Sequence, residues 1–337
     1  MQEPITTDIA IIGAGPVGLF AVFEAGLLKM RCHVMDALPQ IGGQLSEIYP
    51  RKPIYDIPGF PEVLAQDLID NLHQQIEPFK PTFTLGERVE TVEKQADGSF
   101  IVGTNEGTTV HAKAICIAGG LGSFEPRKPP LENLEAYEGK GVSYMVKDPD
   151  KFKGKKVVIA GGGDSALDWC MYLADVAESL TLVHRNAGFR GAPDSAEKVE
   201  KLAAEGKIEL LINTNVTALH GEGALSAIEV TNKDKETRTL ECDDFIPLFG
   251  LSPKLGPIGD WDLGLDKNQV EVDTEKFQTT TEGIFAIGDI NTYPGKLKLI
   301  LSGFHESALM AHAAFKYMNP GVKVNLKYTT VNGVGGF

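Results

Sequence analysis

The hydrophobic pattern of the chain shows the same order of elements twice: a short apolar strand, a glycine-rich turn, an apolar helix and a second strand. In the first copy, apolar runs occupy residues 9–12, 19–28 and 32–35. In the second copy, the two strands fall at residues 156–160 and 180–183. Short buried strands that alternate with helices are typical of parallel α/β sheets. The repeat, at a spacing of about 150 residues, therefore predicts two units of the same kind.

The rest of the pattern predicts mixed secondary structure around these two copies. The predicted elements are an amphipathic helix at 62–79, short strands at 83–118 and 208–246, and helices at 196–204 and 302–318. We expect Asp194 or Ser195 to cap the helix that follows them. Residues 39–61, which include adjacent glycines and four prolines between positions 50 and 61, predict a long loop, and such a loop in a compact domain is usually functional. Residues 319–337 predict a polar, turn-rich tail.

Composition and charge narrow the class of protein. The chain has 337 residues, of which 42% are hydrophobic and 23% are charged, and this length is sufficient for two globular domains. No apolar run approaches the roughly 20 residues of a membrane-spanning helix, and the N-terminus does not have the pattern of a signal peptide. The net charge of −14 argues against nucleic acids and anionic membranes as partners.

The cysteines indicate a reducing compartment. Cys32, Cys116, Cys170 and Cys242 are far apart in the sequence and none belongs to a C-x-x-C motif. Scattered cysteines at strand and helix positions are typical of reduced core residues, so we expect a cytoplasmic protein without disulfides. No metal site is expected.

The first glycine-rich turn has the spacing of a dinucleotide-binding loop. Gly13, Gly15 and Gly18 form a G-x-G-x-x-G pattern, with Pro16 inside it, between a predicted strand and a predicted helix. Such glycines let the backbone approach a pyrophosphate, which binds at the N-terminus of the helix. Asp36 ends the second strand 18 residues after Gly18, where a carboxylate can hold a ribose 2′-hydroxyl. The turn alone leaves open which dinucleotide binds.

The second glycine-rich turn has the other accepted form of the pattern. Gly161, Gly163 and Ala166 have G-x-G-x-x-A spacing, which also predicts a dinucleotide site. Asp164 and Ser165, between these positions, are predicted to belong to the same site.

The residues after the second strand of this copy differ from those of the first copy. No acidic residue ends the strand; His184 and Arg185 follow it, and Arg190 comes shortly after. Arginines in place of the acid suit a 2′-phosphate, so we expect this unit to bind NADP(H). The alternative is that both arginines are solvated surface residues.

The carboxylate at Asp289 supports a flavin at the first turn. Asp289 follows a predicted strand and glycine at residues 283–288, and its side chain can accept hydrogen bonds from ribityl hydroxyls. A single chain with two different dinucleotide sites usually relays a hydride from nicotinamide to flavin. We therefore expect FAD at the first turn, although Asp289 could instead cap a helix.

These motifs together resemble a known family. The segments that carry the likeness are residues 13–18, 42–44, 161–166, 184–190 and 283–289. In this order they resemble the low-molecular-weight thioredoxin reductases over nearly the whole chain. That family has a redox C-x-x-C after a stretch similar to residues 139–143, but no cysteine follows here, which excludes dithiol–disulfide exchange. Residues 42–61 instead resemble the thioredoxin-reductase-like ferredoxin–NADP⁺ reductases, which lack the dithiol.

The resemblance implies further site residues. For FAD, it places Gln44 along the flavin, Tyr49 on one face of the isoalloxazine, Val89 at the adenine end, Phe124 near the flavin and Asp289 at the ribityl chain. In the family, the C-terminal extension supplies an aromatic residue to the other flavin face and a hydroxyl residue beside it. We assign these roles to Tyr328 and Thr330, with Phe337 as an alternative stacking aromatic and a surface position as an alternative for Tyr328. Tyr49 and Tyr328 are therefore the expected catalytic residues, through stacking and gating rather than acid–base chemistry.

The resemblance also implies the fold, the domains and the activity. The expected fold is α/β with two Rossmann-like dinucleotide-binding domains of the pyridine nucleotide–disulfide oxidoreductase type. An FAD-binding domain is expected at 1–119 and 250–337, with an extension at 319–337, and an NADP(H)-binding domain at 120–249. The implied activity is ferredoxin–NADP⁺ reductase. An oxidase or diaphorase with another acceptor, or a flavin redox sensor without turnover, has the same motifs.

The resemblance implies partners as well. It predicts a homodimer and ferredoxin, or a flavodoxin-like carrier, as the partner of electron transfer. Because ferredoxins are acidic and this chain carries −14, we expect a local basic surface for docking. The candidates are the lysine-rich segment 147–156 and Arg51, Lys52, Arg127, Lys128, Lys296 and Lys298.

Overall fold

The structure, a computed structural model, describes residues 4–323 and 329–337. By the packing of its backbone, the chain divides into two compact units. Unit 1 comprises Met1–Ser123 and Pro253–Phe337, and unit 2 comprises Phe124–Ser252. In the described part of the chain, none of the helices combines the length and the apolar character needed to cross a bilayer.

The strands are numbered in chain order. They are β1 (Ile5–Ile12), β2 (Cys32–Asp36), β3 (Pro53–Ile54), β4 (Val63–Leu64), β5 (Thr82–Leu85), β6 (Val89–Lys94), β7 (Phe100–Thr104), β8 (Thr109–Ile117), β9 (Ser123–Pro126), β10 (Lys156–Gly161), β11 (Ser179–Val183), β12 (Glu209–Leu211), β13 (Thr214–His220), β14 (Ala227–Asn232), β15 (Thr237–Glu241), β16 (Asp244–Leu248), β17 (Leu251–Lys254), β18 (Leu265–Asp266), β19 (Gln269–Glu271), β20 (Ile284–Ala286) and β21 (Asn291–Thr292).

The helices are numbered in the same way. They are α1 (Pro16–Leu27), α2 (Gln44–Ile48), α3 (Ala65–Ile76), α4 (Leu134–Tyr137), α5 (Asp164–Leu173), α6 (Pro193–Ala204), α7 (Ile300–Met318) and α8 (Thr329–Asn332). Short 3₁₀ turns lie at Glu77–Phe79, Pro149–Phe152, Gly256–Asp260 and Gly288–Ile290.

Unit 1 is built on a sheet with the strand order β5-β2-β1-β8-β7-β6, and β20 also pairs with β8. Strands β5, β2, β1, β8 and β20 are parallel, whereas β7 and β6 form an antiparallel edge. Helices α1, α3 and α7 pack together and cover one face, where their apolar residues form the larger core. The second half of β1, from Ile9 to Ile12, is buried between β2 and β8, and all four of its residues are apolar.

Unit 2 repeats this pattern in a smaller form. Its parallel sheet has the order β12-β11-β10-β16, and α5 follows the central strand β10. A three-stranded antiparallel sheet, β13-β14-β15, lies in the same unit. Both units therefore place a glycine-rich turn at the carboxyl end of a central parallel strand, which is where open α/β sheets bind their ligands.

The predicted α/β fold with two Rossmann-like units is confirmed, but several predicted boundaries are wrong. The segment 39–61 is not a continuous loop, since it contains α2 and β3; a five-residue helix is too short to show periodicity. The helix predicted at 62–79 starts three residues later, after the short strand β4, and ends before Pro78 in a 3₁₀ turn. Asp194 and Ser195 do not cap α6, which begins at Pro193, the residue type preferred at the first helical position.

Candidate functional site

The first glycine-rich turn connects β1 to α1. Gly13 has φ +113°, and a Cβ atom at this position would collide with the carbonyl of Ala118, so no other residue type fits. A Cβ atom at Gly15, in contrast, would meet nothing within 4 Å. One side of the turn is therefore packed against the sheet, and the other side is open to a ligand.

The N-terminus of α1 offers unpaired donors to that ligand. The helix starts with Gly15 as N-cap and Pro16 in its first turn, and within this described segment no side chain caps it and no acidic residue lies in its first turn. The first N–H groups of a helix lack intrahelical acceptors and lie at the positive end of the helix dipole. This turn therefore suits a phosphate group.

Asp36 lies at the carboxyl end of β2, beside the same turn. Its two carboxylate oxygens accept hydrogen bonds from the backbone N–H groups of Ala14, at 2.7 Å, and Leu38, at 2.9 Å. Burial raises the pKa of Asp36, against the effect of these two hydrogen bonds. Each carboxylate oxygen retains a second lone pair, so the side chain can still accept a hydrogen bond from a ribose hydroxyl.

Val89 lies close to Asp36 through the backbone. The N–H of Glu87 donates to the carbonyl of Asp36 at 3.2 Å, which brings the start of β6 next to the end of β2. Val89 is the first residue of β6 and is buried. Its side chain belongs to the same apolar cluster as that of Met35, the residue before Asp36.

The segment before α2 packs directly on the glycine-rich turn. The N–H of Gly42 donates to the carbonyl of Ala14 at 2.8 Å, and a Cβ atom on Gly43 would lie 3.2 Å from Cα of Gly15. Gln44 begins α2, and its Nε2 lies 3.7 Å from where a Cβ on Gly120 would be. The motif at residues 42–44 is thus part of the wall of the first site.

Tyr49 and Asp289 share one electrostatic environment, although 240 residues separate them. Burial, together with the negative charge of Asp289, raises the pKa of Tyr49 to about 12. Burial also raises the pKa of Asp289, while Lys296 and Lys298 act in the opposite direction. The structure therefore brings together Tyr49, from the end of α2, and Asp289, from the turn after β20. Tyr49 remains a neutral phenol at physiological pH.

The turn that carries Asp289 packs on the first turn of α1. Gly288 has φ +76°, and a Cβ there would lie 3.4 Å from Cγ1 of Val17. Helix α7 approaches the same residue, because a Cβ on Gly303 would collide with the Val17 side chain. The hydroxyl of Ser307 also donates to the carbonyl of Val17 at 3.3 Å.

In unit 2, the glycine-rich turn lies on the imidazole of His184. His184 is buried and stacks on Phe189, with 5.1 Å between the ring centroids and 29° between the planes. Its Nε2 lies 3.0 Å from the carbonyl oxygen of Gly188. A Cβ atom on Gly162 would collide with the ring. The structure therefore places His184 beneath the turn, where it supports the backbone, and not at the exposed surface.

The two arginines lie at that exposed surface. Arg185 and Arg190 are both exposed. The backbone N–H of Arg190 donates to the carbonyl of Gly162 at 2.7 Å, and its Nη2 lies 3.7 Å from where a Cβ on Gly163 would be. Arg190 is thus held against the glycine-rich turn.

In the first turn of α5, one polar side chain makes a structural hydrogen bond and another is exposed. Oδ1 of Asp164 accepts a hydrogen bond from the N–H of Ala192 at 2.7 Å, which ties α5 to the segment that carries Arg190. Ser165 is exposed beside it, and Ala166 is buried against Gly161. Among the described residues, no side chain caps α5, whose N-cap is Gly163.

The structure describes the other residues predicted at the flavin only in part. Tyr328 and the side chain of Phe124 lie outside the described residues. Thr330 is in α8 and is exposed. Phe337 packs edge-on against Phe79, with 6.4 Å between the ring centroids.

The position of Phe337 bears on its predicted role. Lys29 and Arg31, which follow the C-terminal end of α1, lie over its ring at 5.4 and 5.8 Å from the centroid. The glycine-rich turn is at the other end of the same helix. Phe337 is therefore not at the dinucleotide turn of its own chain.

Several basic residues proposed for docking are engaged with carboxylates. Salt bridges pair Lys128 with Glu138, Lys155 with Asp244, Lys156 with Glu241 and Lys296 with Glu306. The Lys296 pair is buried and lies next to Asp289. Sequence reasoning missed its partner Glu306, because a single glutamate within an apolar helix has no motif around it.

Comparison with known proteins agrees with this arrangement. The family model described as pyridine nucleotide-disulphide oxidoreductase matches residues 7–314. A ferredoxin–NADP reductase of Flavobacterium johnsoniae is 63% identical over 334 residues, which cover 99% of this chain and 95% of that protein. A ferredoxin–NADP reductase of Parvibaculum lavamentivorans is 54% identical over 330 residues, which cover 98% of this chain and 96% of that protein.

Among solved structures, the thioredoxin reductase of Lactococcus lactis has a TM-score of 0.80 at 23% identity and covers 93% of this chain and 99% of its own. The thioredoxin reductase of T. acidophilum has the same TM-score and identity, with coverage of 92% and 98%. These likenesses show the fold. On the family model and on the identity to the curated relatives, the chain belongs to the pyridine nucleotide-disulphide oxidoreductase family and, within it, to the ferredoxin–NADP reductases.

Proposed function

We propose that this protein is a ferredoxin–NADP⁺ reductase, in which FAD in unit 1 carries electrons between NADP(H) in unit 2 and ferredoxin. The observation that carries the proposal is the difference between the two glycine-rich turns. One has Asp36 beside it and the other has Arg185 and Arg190. The first arrangement suits a dinucleotide with a free 2′-hydroxyl, and the second suits one with a 2′-phosphate. The curated relatives named above bear the name of this activity.

The residues of unit 1 fit FAD. Gly13, Gly15, Pro16 and Gly18 would hold the pyrophosphate at the uncapped N-terminus of α1, and the open side of Gly15 leaves room for it. Asp36 would hold the ribose, and buried Val89 would contact the adenine. These assignments follow the chemistry of each group: donors face phosphate, a carboxylate faces hydroxyls and an apolar side chain faces a base.

The flavin end of the site would be formed by a second group of residues. Gln44 would lie along the isoalloxazine and neutral Tyr49 would stack on it, while Asp289 would accept hydrogen bonds from the ribityl chain. We retain Phe124, Tyr328 and Thr330 as proposed neighbours of the ring. FAD, when bound, supplies the exchange between two-electron and one-electron transfer. The protein's part is to bind, orient and shield, so Tyr49 and Tyr328 are proposed to gate access and not to transfer protons.

The residues of unit 2 fit NADP(H). Gly161, Gly163, Asp164, Ser165 and Ala166 form the turn that would receive the pyrophosphate. Arg185 and Arg190 would bind the 2′-phosphate through charge-assisted hydrogen bonds. His184 would contribute by holding the turn and the arginine segment in position, since its ring packs against both. We accordingly propose residues 1–119 and 250–337 as the FAD-binding domain and 120–249 as the NADP(H)-binding domain.

The cysteines separate this protein from the thioredoxin reductases whose fold it shares. All four are buried and unpaired, and burial raises the pKa of Cys170 and Cys242 to about 12. A thiol that stays protonated and has no neighbouring thiol in sequence cannot exchange with a disulfide substrate. Electrons must therefore leave from the flavin directly.

Turnover with and without ferredoxin tests the proposed function. The purified protein, loaded with FAD, is mixed with NADPH, and NADPH oxidation is followed in anaerobic buffer with and without ferredoxin, in the presence of cytochrome c, which takes one electron from each reduced ferredoxin and reoxidises it. Parallel reactions contain oxygen or a quinone in place of ferredoxin and cytochrome c. We expect sustained oxidation only when ferredoxin is present. Sustained oxidation in the parallel reactions with oxygen or a quinone, without any increase by ferredoxin in the anaerobic reaction, would identify an oxidase or diaphorase. A single stoichiometric reduction without turnover would identify a redox sensor.

We also propose that the protein is a homodimer in the cytoplasm. The support for the dimer is the family resemblance, and the support for the compartment is the presence of four free, buried cysteines. Light scattering during size-exclusion chromatography would test the first proposal: a mass close to that of one 36.4 kDa chain would contradict it. Fractionation of cells that express the protein would test the second.

A further inference from the structure

A buried ion pair lies beside Asp289, in a part of unit 1 to which no motif points. Nζ of Lys296 is in close contact with Oε1 of Glu306, and the two side chains are only 6% and 0% exposed. Removing two charges from water costs free energy that their attraction often fails to recover, so a buried pair of this kind is weak evidence for a role in stability. Its retention next to a ligand site calls for a functional explanation.

Glu306 connects three segments of the site. Its Oε2 accepts hydrogen bonds from the backbone N–H of Gly288, at 2.7 Å, and from the side chain of Asn291, at 2.9 Å. Its Oε1 accepts one from the hydroxyl of Tyr293, at 2.9 Å, in addition to Lys296. These four donors occupy the lone pairs of the carboxylate, so Glu306 joins the turn after β20, residues 291–296 and α7.

The bond to Gly288 fixes the residue that follows it. Gly288 lies in a left-handed conformation with φ +76°, and its N–H points at Glu306, in the first half of α7. Asp289 is therefore positioned between β20, which precedes the turn, and α7, which receives its hydrogen bond. Without an acceptor at position 306, the N–H of Gly288 would be buried and unpaired, which would favour another conformation of the turn.

The pair also sets the charge around Asp289. The positive charge of Lys296 and the negative charge of Glu306 both act on the Asp289 carboxylate, in opposite directions, and Asp289 in turn acts on Tyr49. The two charges therefore oppose each other at Asp289, where Lys296 has the larger effect. Removal of one of them would leave an uncompensated charge there, in a medium of low polarity where its effect is large.

We propose that Lys296 and Glu306 are positioning residues of the flavin site: Glu306 holds the turn of Gly288 and Asp289, and the balance of the two charges sets the reduction potential of the bound flavin. This inference rests on the proposed binding of FAD to unit 1. Reduction adds negative charge to the flavin, so a net positive charge nearby stabilises the reduced form and a net negative charge destabilises it.

Three variants of the pair separate these effects. Glu306→Gln keeps the shape of the side chain and removes its charge, and Lys296→Met keeps the length of the lysine stem and removes its charge. The double variant E306Q/K296M removes both charges. A matched control exists in the same unit, because Lys94 and Glu282 form an exposed pair at 3.9 Å, and the same substitutions, K94M and E282Q, can be made there.

The measurements are made on the FAD-loaded protein. The potential is obtained by equilibration with redox dyes, and the dissociation constant of FAD by titration of the apoprotein. We expect the reduction potential of the flavin to rise in E306Q and to fall in K296M. Each shift should be at least about 30 mV, which for a two-electron couple corresponds to a tenfold change in the ratio of the protein's affinities for oxidised and reduced flavin. We expect the double variant to return towards the wild type and the K94M and E282Q variants to equal it.

The direction of the shifts decides the outcome. Variants that merely loosen the fold would move both single-variant potentials in the same direction or leave them unchanged, and either result would overturn the proposal. A fourth variant, Glu306→Leu, removes the acceptor of the Gly288 N–H, so we expect it to weaken FAD binding at least tenfold. E306Q, which keeps an amide oxygen at this position, and K296M should weaken FAD binding less; equal losses in all three variants would contradict the positioning role. If E306Q fails to fold, K296M and the double variant still give the sign. If the wild-type protein binds no flavin, the proposed function itself fails.

Discussion

Arg185 and Arg190 are the residues on which the choice of nicotinamide cofactor depends. Both are exposed, and Arg190 is held against the glycine-rich turn through its backbone. We expect Arg185→Ala to raise the KM for NADPH on the order of tenfold to a hundredfold, the range of one lost charge-assisted hydrogen bond, with little effect on the KM for NADH. Steady-state kinetics with both cofactors measure this.

A control for this change is available in the same unit. Arg238 is exposed and pairs with Glu209, at the edge of the sheet formed by β13, β14 and β15. Arg238→Ala removes the same charge away from the turn, so we expect it to leave both KM values unchanged. Equal rises for NADPH and NADH in the Arg185 variant would show that the arginine does not read the 2′-phosphate.

Asp289 illustrates how a ligand site costs stability. Burial raises its pKa, so the folded protein holds the charged form less readily than the unfolded chain does. The sign follows from this difference: a group whose folded pKa is raised contributes stability at low pH, and this contribution is lost as the pH rises through the folded pKa. At neutral pH, we therefore expect Asp289→Asn to raise the Tm of the apoprotein.

The same substitution should weaken FAD binding. Loss of the carboxylate removes a charged acceptor for the ribityl hydroxyls, which is expected to cost on the order of tenfold to a hundredfold in affinity. Calorimetry of the apoprotein and titration with FAD measure the two effects, with Asp266→Asn as an exposed control. A lower Tm together with unchanged FAD affinity would show that Asp289 is an ordinary structural residue.

At the scale of elements, the contact between α1 and α7 holds the first site together. A Cβ atom on Gly303 of α7 would collide with Val17, in the first turn of α1, and Val17 is β-branched and therefore stiff at χ1. An alanine in a helix is normally more stable than glycine by about 1 kcal/mol, whereas overpacking costs about 1–3 kcal/mol. We expect the collision to prevail, so that Gly303→Ala lowers the free energy of unfolding by up to about 2 kcal/mol.

Urea unfolding measures this change, and FAD titration measures its effect on the site. Because Val17 lies in the turn that would receive the pyrophosphate, FAD affinity should fall as well. Ser302→Ala, at the preceding position of α7, adds no group towards α1 and serves as the control. A Gly303→Ala protein as stable as the wild type would mean that α1 and α7 can separate without cost.

The elements also show why some features were predictable from the sequence and others were not. Local signals predict the strands β1 and β10 and their glycine-rich turns, because in each case an apolar run is followed by glycines at a fixed spacing. The helix α2 could not be predicted in this way, since five residues are too few to show a helical period. The Lys296–Glu306 pair could not be predicted from the sequence either, because it depends on the burial of both side chains, which follows from how α7 packs. Similarly, the sequence brought His184 into the site but could not distinguish a residue that touches a ligand from one that supports the turn beneath it.

At the scale of the whole molecule, the net charge of −14 opposes the approach of an acidic ferredoxin. Four of the lysines proposed for docking are paired with carboxylates, which reduces their value for a partner. Lys151 and Lys153 are exposed at the end of the 3₁₀ turn of Pro149–Phe152 in unit 2. They are therefore our preferred candidates for a local basic surface.

Charge reversal at these two lysines tests local docking against long-range repulsion. Two double variants are compared: K151E/K153E, and K233E/K235E in the turn between β14 and β15. Both add the same negative charge to unit 2. Repulsion by the net charge would raise the KM for ferredoxin equally in both. The charges of a docking surface act over a Debye length of about 8 Å at 0.15 M salt, so we expect only K151E/K153E to raise the KM for ferredoxin, on the order of tenfold. High salt should raise the KM of the wild-type protein for ferredoxin in the same way, because it screens the same charges. Equal effects of the two variants, or a wild-type KM that does not change with ionic strength, would place the ferredoxin elsewhere on the molecule.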